Sequence, residues 1–448
     1  MLGEYEQSVL SLPTAMACLV VLLGGAGACE RDQRDTSKAE GKPSAAQTQQ
    51  ASKRAAAPLT EHTLLFAQAQ FEWTQGADGK KKPKPGPAKL LLMQPGTDGS
   101  WQSSVLEDPD SRVFHKAACV ANPDGETPRL LTIGGTDAYL KLWQHEGGEW
   151  RDTTLWHASF GGKWDRFRDF EIADVTADGQ PDIVVATHDQ GVVGVVSRDA
   201  DGKWQAQRVM RAADTFIHEI EIGDVNGDGA PEFYATPSKP NKADSSQTGR
   251  IVGFRRTPKG EFESFRVAAF RGSHAKEILV ADVDADGQDE LYSAREAERK
   301  VGGGVKTPVQ ILQHLPQKDG TWKRRRLVEL PGGVQARVLL DADLTANGRS
   351  ELVVTTMKDG VWRLLPPGKA GEAWKKKQID ADSSGFEHAA AVANLDDAGP
   401  PGLYVTADDQ DEIRQYRWDG KSFGRKTIAS MDRSDLTWNI TRCAPVSL

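Results

Sequence analysis

The chain has 448 residues and a formal net charge of −8, so it lacks the basic field that nucleic-acid binding requires. Hydrophobic residues make up 38% and aromatics 7%, while 44 glycines and 23 prolines punctuate the sequence. That balance is thin for long buried helices and suits many short strands joined by turns. A single domain of this length is open to repeat architectures, because each unit packs only on its neighbours.

The first element, from Ala15 to Cys29, reads AMACLVVLLGGAGAC, an apolar run too short to span a bilayer comfortably and ending in small residues. Residues 1–28 therefore read as a signal peptide. Ala26-Gly27-Ala28-Cys29 resembles a lipobox, which would make Cys29 the acylated first residue of a bacterial lipoprotein. Ala26 stands where a lipobox usually has leucine, and Glu4 and Glu6 precede the apolar run where basic residues are usual. Ordinary signal-peptidase cleavage after the same small residues is the alternative. Either route exports the chain; the lipoprotein route places it at the cell envelope, on the outer membrane, held only by its lipid. Residues 29–58 are rich in Ala, Gln, Lys, Ser and Glu and cannot bury enough surface to offset their ordering entropy, so they read as a disordered tether.

From residue 59 onward the sequence repeats. DVTADGQPD starts at Asp174, DVNGDGAPE at Asp224, DVDADGQDE at Asp282, DLTANGRSE at Asp343 and NLDDAGPPG at Asn394, 50 to 61 residues apart, with a weaker VANPDGETP at Val120. Apolar or alternating runs flank each copy, FEIA and IVVAT around the first, so the nonapeptide is a loop between two strands. Helices would flank an EF-hand loop. A second repeat is a turn followed by an aromatic, ending at Trp101, Trp150, Trp204, Phe262, Trp322, Trp374 and Phe423. It reads as a second hairpin per unit whose aromatic packs on the next unit.

Seven units of four antiparallel strands predict an all-β, seven-bladed β-propeller over residues 59–448. The N-terminal segment has outer-strand features without an inner strand, and DLTWNITRC at Asp435–Cys443 has the pattern of the missing one. The ring is expected to close by pairing this last strand with the first ones. The acidic loop with its glycine and strand flanks resembles the FG-GAP or VCBS repeat of integrin α-subunits and many exported bacterial proteins. The resemblance implies Ca2+-binding loops and a platform for adhesion or ligand binding.

The loop chemistry supports calcium independently, since oxygens at positions one, three, five and nine of a tight loop can converge on one hard cation. The expected ligands are Asp174, Thr176, Asp178 and Asp182; Asp224, Asn226, Asp228 and Glu232; Asp282, Asp284, Asp286 and Glu290; and, more weakly, Asp343, Thr345, Asn347 and Glu351. A metal-free Asx turn is the alternative. The Asn394 loop has lost most of its ligands and reads as a turn.

Six residues before each loop stand Arg168, His218, Lys276, Arg337 and His388, with Phe114 in the weak copy. A ring of cations at a channel mouth would attract an anionic ligand, a uronate glycan or a carboxylated peptide. The acidic residues that follow, Asp169, Glu219 and Glu277, would instead make it a structural ion-pair network. Cys119 and Cys443 stand at the ends of two inner strands that ring closure would bring together, so a disulfide is expected, with two buried thiols as the alternative.

No phosphate-cradling loop, HExxH or CxxC occurs in the sequence. KVGGGVKTP near Val301 reads as a long flexible loop and KKKPK at Lys80–Lys84 as a solvated one. The expected function is an envelope-anchored, calcium-stabilised module binding a protein or glycan partner. The alternative is a lyase acting on acidic pectic glycans through the basic mouth.

Overall fold

The computed structural model describes residues 59–75, 81–125, 127–162, 165–188, 190–239, 248–369, 372–396 and 399–448. The signal peptide, Cys29 and the tether lie outside the described residues, as does Lys80. From Leu64 onward the described chain is strand and turn, with one helical turn at Asp408–Gln410. No described helix is long and apolar enough to cross a membrane.

The strands form five separate four-stranded antiparallel sheets, a two-stranded ribbon and one eight-stranded sheet. The large sheet is two groups of four joined at one pair, Ala69 opposite Val113. In the first group Asp435–Arg442 pairs with Leu64–Gln75, followed outward by Lys81–Pro95 and Trp101–Asp108. The last strand of the chain thus completes the sheet that the first three begin.

In the other sheets spatial order follows chain order. Their first strands are Val113–Val120, Phe167–Ala173, Phe216–Gly223, Ala275–Ala281, Ala336–Ala342 and Ala390–Ala393. Each touches the next, and Asp435–Arg442 touches both Ala390–Ala393 and Val113–Val120. Apolar residues on both faces of each sheet fit this arrangement, because the core lies between consecutive sheets. Val184, Ala186 and Val195, for example, pack on Ile217, Phe233 and Phe254 of the following sheet.

The turn aromatics open the outermost strands, but they pack backward rather than forward. Trp322 meets Tyr234 and Phe265 of the preceding sheet, Trp374 meets Tyr292, and Trp101 meets Tyr404 across the junction of the chain's ends. Most are the first residue of their outer strand, while Trp150 stands second in Glu149–Ala158 and Trp374 one place before Lys375–Asp380.

Two loop expectations need correcting. Residues 81–84 belong to a strand paired with Leu64–Gln75, and KVGGGVKTP folds back as a ribbon of Glu298–Arg299 against Val305–Thr307. Gly302, Gly303 and Gly304 all adopt positive φ, which lets so short a stretch reverse. At the junction of the ends, Cys119 and Cys443 form a disulfide with Cα atoms 5.0 Å apart. Beyond it the chain stays tied down, with Ala121 N–H donating to Val446 O at 2.7 Å.

Candidate functional site

Each acidic nonapeptide joins the first and second strands of a sheet, and its ninth residue opens the second strand: Asp182, Glu232, Glu290 and Glu351. The turn needs two left-handed residues. The sixth position is Gly179, Gly229, Gly287 or Gly348, and the fourth is Ala177, Gly227, Ala285 or Ala346, all with positive φ. The first aspartate holds this shape by accepting backbone N–H groups, from Asp228 and Gly229 onto Asp224 at 3.0 and 2.7 Å and from Asp286 and Gly287 onto Asp282 at 3.0 and 2.8 Å. Asp174 and Asp343 do the same.

With this backbone shared, the side chains divide the loops into two kinds. Carboxylate oxygens of Asp224, Asp228 and Glu232 lie within 4.8 Å of one another, and so do those of Asp282, Asp284 and Glu290. Oxygens about 2.4 Å from a calcium ion can be no farther apart than that, so both sets fit the ion. Asn226 and Asp286 complete the loops; the Asn226 amide also donates to Glu232, and Asp286 accepts from Gln288 N–H at 2.9 Å. Burial, reinforced by Asp228 and Asp224, pushes Glu232 up to about 7, and burial pushes Glu290 up to about 6. A bound cation would reverse both shifts.

The other two loops spend their ninth residue differently. Asp182 accepts the N–H groups of Val175 and Thr176 at 3.0 and 2.9 Å, leaving Asp174 and Asp178 without its carboxylate. Glu351 pairs with Arg363 Nε at 2.6 Å, and the Asn347 amide turns to Thr345 Oγ1 at 2.8 Å. Among the described residues, only the Asp224 and Asp282 loops gather three carboxylates within 4.8 Å of one another.

The opposite ends of the first strands carry the basic residues. The ladder register shifts at Arg168, at His218–Glu219, at Lys276 and at Arg337, so a bulge re-aims each of these side chains. In the strand Val113–Val120 the shifted residue is His115, one place from the Phe114 that counting selects. Arg168, His218, Lys276, Arg337 and His388 are all buried. Three of them surround one carboxylate that sequence reasoning missed: Glu387 lies 3.8 Å from Arg168, 3.4 Å from Lys276 and 3.8 Å from Arg337. Burial raises the Glu387 carboxyl, but these three cations outweigh it and hold it below the usual range. The signal for Glu387 is faint: in Phe386-Glu387-His388 the acid precedes the base, whereas it follows Arg168, His218 and Lys276.

His388 is structural, its ring bonded to Thr356 O and Ser383 Oγ, both at 2.7 Å. His218 and His274 are buried with no hydrogen-bond partner at any ring nitrogen. Burial and the neighbouring cations hold His218 well below the ordinary imidazole value and His274 down at about 3, so both are neutral. Asp169 does not pair with Arg168. It meets Lys116 of the preceding sheet at 2.9 Å, and Lys116 also pairs with Glu171. Burial pulls Lys116 down, but Asp169, Glu171 and Glu219 hold it well above its ordinary value. Burial, with repulsion from Asp169 and Glu277, raises Glu219, and burial with repulsion from Glu171 and Asp169 raises Glu221.

An FG-GAP-like repeat family matches residues 174–235, which contain the first two acidic loops. Among solved structures, a protein from Lactobacillus plantarum aligns with a TM-score of 0.54 and 10% identity over 85% of this chain and 98% of its own. A putative 6-phosphogluconolactonase from Bacteroides uniformis ATCC 8492 aligns with a TM-score of 0.50 and 13% identity over 85% and 99%. Identities this low speak for the fold alone. No curated protein matches the sequence. Sheet arrangement, repeat match and structural neighbours together make the chain a β-propeller with FG-GAP-like repeats.

Proposed function

We propose that the protein is a calcium-stabilised, seven-bladed propeller, closed between its terminal strands and anchored at the bacterial envelope through Cys29, where it serves as a binding scaffold. The observation that carries this reading is the pair of loops at Asp224 and Asp282, each gathering three carboxylates within calcium-ligand range. Pairing of Asp435–Arg442 with Leu64–Gln75 supports closure. The ligand reading rests on the cations Arg168, Lys276 and Arg337, drawn from three sheets to one place, where an anionic glycan or peptide group would be held.

Thermal melting of the mature domain tests the calcium part. Chelator should lower the melting temperature and added calcium restore it, whereas a curve indifferent to both would sink it. The anchor is tested by Cys29→Ser, which should move the protein from the membrane to the soluble fraction. An enzyme acting on acidic glycans is the second reading, resting on the same cations Arg168, Lys276 and Arg337 as holders of its substrate. Release of unsaturated products from polygalacturonate would establish it.

A further inference from the structure

Three other largely buried cations each have at least one close carboxylate: Arg363 to Glu351 at 2.6 Å, Lys141 to Asp108 at 2.9 Å and Lys116 to Asp169 at 2.9 Å, even where a second partner is farther, as Asp152 is from Lys141 at 3.3 Å. The close distances are those expected of charge-assisted hydrogen bonds. Around Glu387 all three contacts are long, at 3.4 to 3.8 Å. The cations are nonetheless as deeply buried, with Arg168, Lys276 and Arg337 exposed by 8%, 2% and 5%. Two of them have further contacts: Arg168 lies over the Trp438 ring at 5.6 Å, and Arg337 lies over Phe386 at 5.0 Å and donates to Gln335 Oε1 at 2.5 Å.

The cage is therefore wider than Glu387, the one carboxylate among the described residues within ion-pair distance of all three cations, although buried Glu277 and Glu296 feel the same cations from farther off. Two imidazoles within electrostatic reach of these cations, His218 and His274, have four ring nitrogens without partners although both residues are more than nine-tenths buried. Unmet polar groups at that depth are costly unless water or a ligand satisfies them.

We propose that Arg168, Lys276 and Arg337 form a binding site for a small or terminal carboxylate, with Glu387 as its built-in occupant and His218 and His274 supplying further hydrogen bonds. This rests on the ligand-binding reading above and narrows it. A cage this buried admits the carboxylate of a small acid or of a chain end, not one in the middle of a polymer. Glu387 stands on the connection leading into Ala390–Ala393, outside the strands of its three partners, so an incoming carboxylate takes its place without disturbing the bulges that aim the cations.

The test uses the mature protein with Glu387→Ala and Glu387→Gln. Glu387→Ala leaves three buried cations without a described carboxylate in ion-pair range, only the more distant Glu277 and Glu296, and should melt lower than wild type. Formate or acetate should raise its melting temperature, chloride at equal ionic strength should not, and wild type should respond to neither. Glu387→Gln keeps the side-chain shape, and free galacturonate should bind it about tenfold or more tightly than wild type, read by titration calorimetry. Failure of both the acetate rescue and the affinity gain overturns the proposal. If Glu387→Ala does not fold, the Gln variant decides alone. Wild-type binding to a glycan that neither variant alters would place the ligand elsewhere, refuting the cage while sparing the scaffold reading. Acetate rescue in a protein whose wild type binds no glycan or peptide would uphold the cage and overturn that reading. Equal binding of polygalacturonate and of its chain-end monomer would refute the restriction to terminal groups.

Discussion

Follow the strand Phe216–Gly223 in both directions and the same kind of charge is handled in two ways. Toward the acidic loop, Asp224, Asp228 and Glu232 converge while Asp224 and Asp228 stay at the surface, so a cation from solvent can neutralise them. Toward the other end the charges are buried, and the chain supplies counter-ions of its own: Lys116 for Asp169 and Glu171, and Glu387 for Arg168, Lys276 and Arg337. A buried charge must have its partner within the fold, because desolvation costs more than any distant charge returns. An exposed loop can leave its partner to the medium, and its stability then depends on what the medium contains.

Breaking an internal counter-ion should cost most. Lys116→Met strands Asp169 and Glu171, with Glu219 nearby, and is expected to lower stability by about 3–5 kcal/mol, measured by urea denaturation. Since Glu219 and Glu221 already resist ionisation, an effect under about 1 kcal/mol would mean that this cluster is carried neutral. Opening the covalent link where the chain's ends meet comes next. Cys443→Ser should cost about 2–4 kcal/mol in the same assay, with unlabelled cysteines in the unreduced wild type as the control.

The solvent-facing end should respond to calcium instead. At calcium about a hundredfold above its dissociation constant each occupied loop gains about 2.7 kcal/mol, and chelation removes it. Asp228→Asn and Asp284→Asn should each abolish one loop's share of the calcium-induced shift in melting temperature. Asp182→Asn should leave that shift intact, because Asp182 is engaged with backbone N–H groups. A shift that disappears with Asp182→Asn would erase the distinction between the two kinds of loop.

The smallest effect is one of pH. Glu232 and Glu290 are raised in the folded state to about 7 and about 6, above their unfolded value, so the folded protein binds more protons than the unfolded chain across that interval. Stability of the calcium-free protein should fall as pH rises from about 4.5 to about 7, then level off. Glu232→Gln should flatten much of that fall, and calcium should remove it, both read as melting temperature against pH.

Strand positions, loop boundaries and the placing of an aspartate before each tight turn were legible in the linear order of residues, because they depend on side-chain alternation and on which residues tolerate positive φ. The ladder that pairs the last strand with the first was foreshadowed by an inner strand missing at one end and present at the other. Which carboxylates meet could not be read that way. DVTADGQPD and DVNGDGAPE look equivalent, yet aspartate at the ninth position of the first stays against the backbone, while the longer glutamate of the second reaches the loop's other carboxylates. Glu351 offers the same reach and is claimed by Arg363, a residue of the next strand. Glu387 meets Lys276 across 111 positions of sequence, and Lys116 meets Glu171 across 55. Pairings of that span arise only when separate sheets are brought around a common centre, where exclusion of water leaves each charge no partner except the one the fold presents.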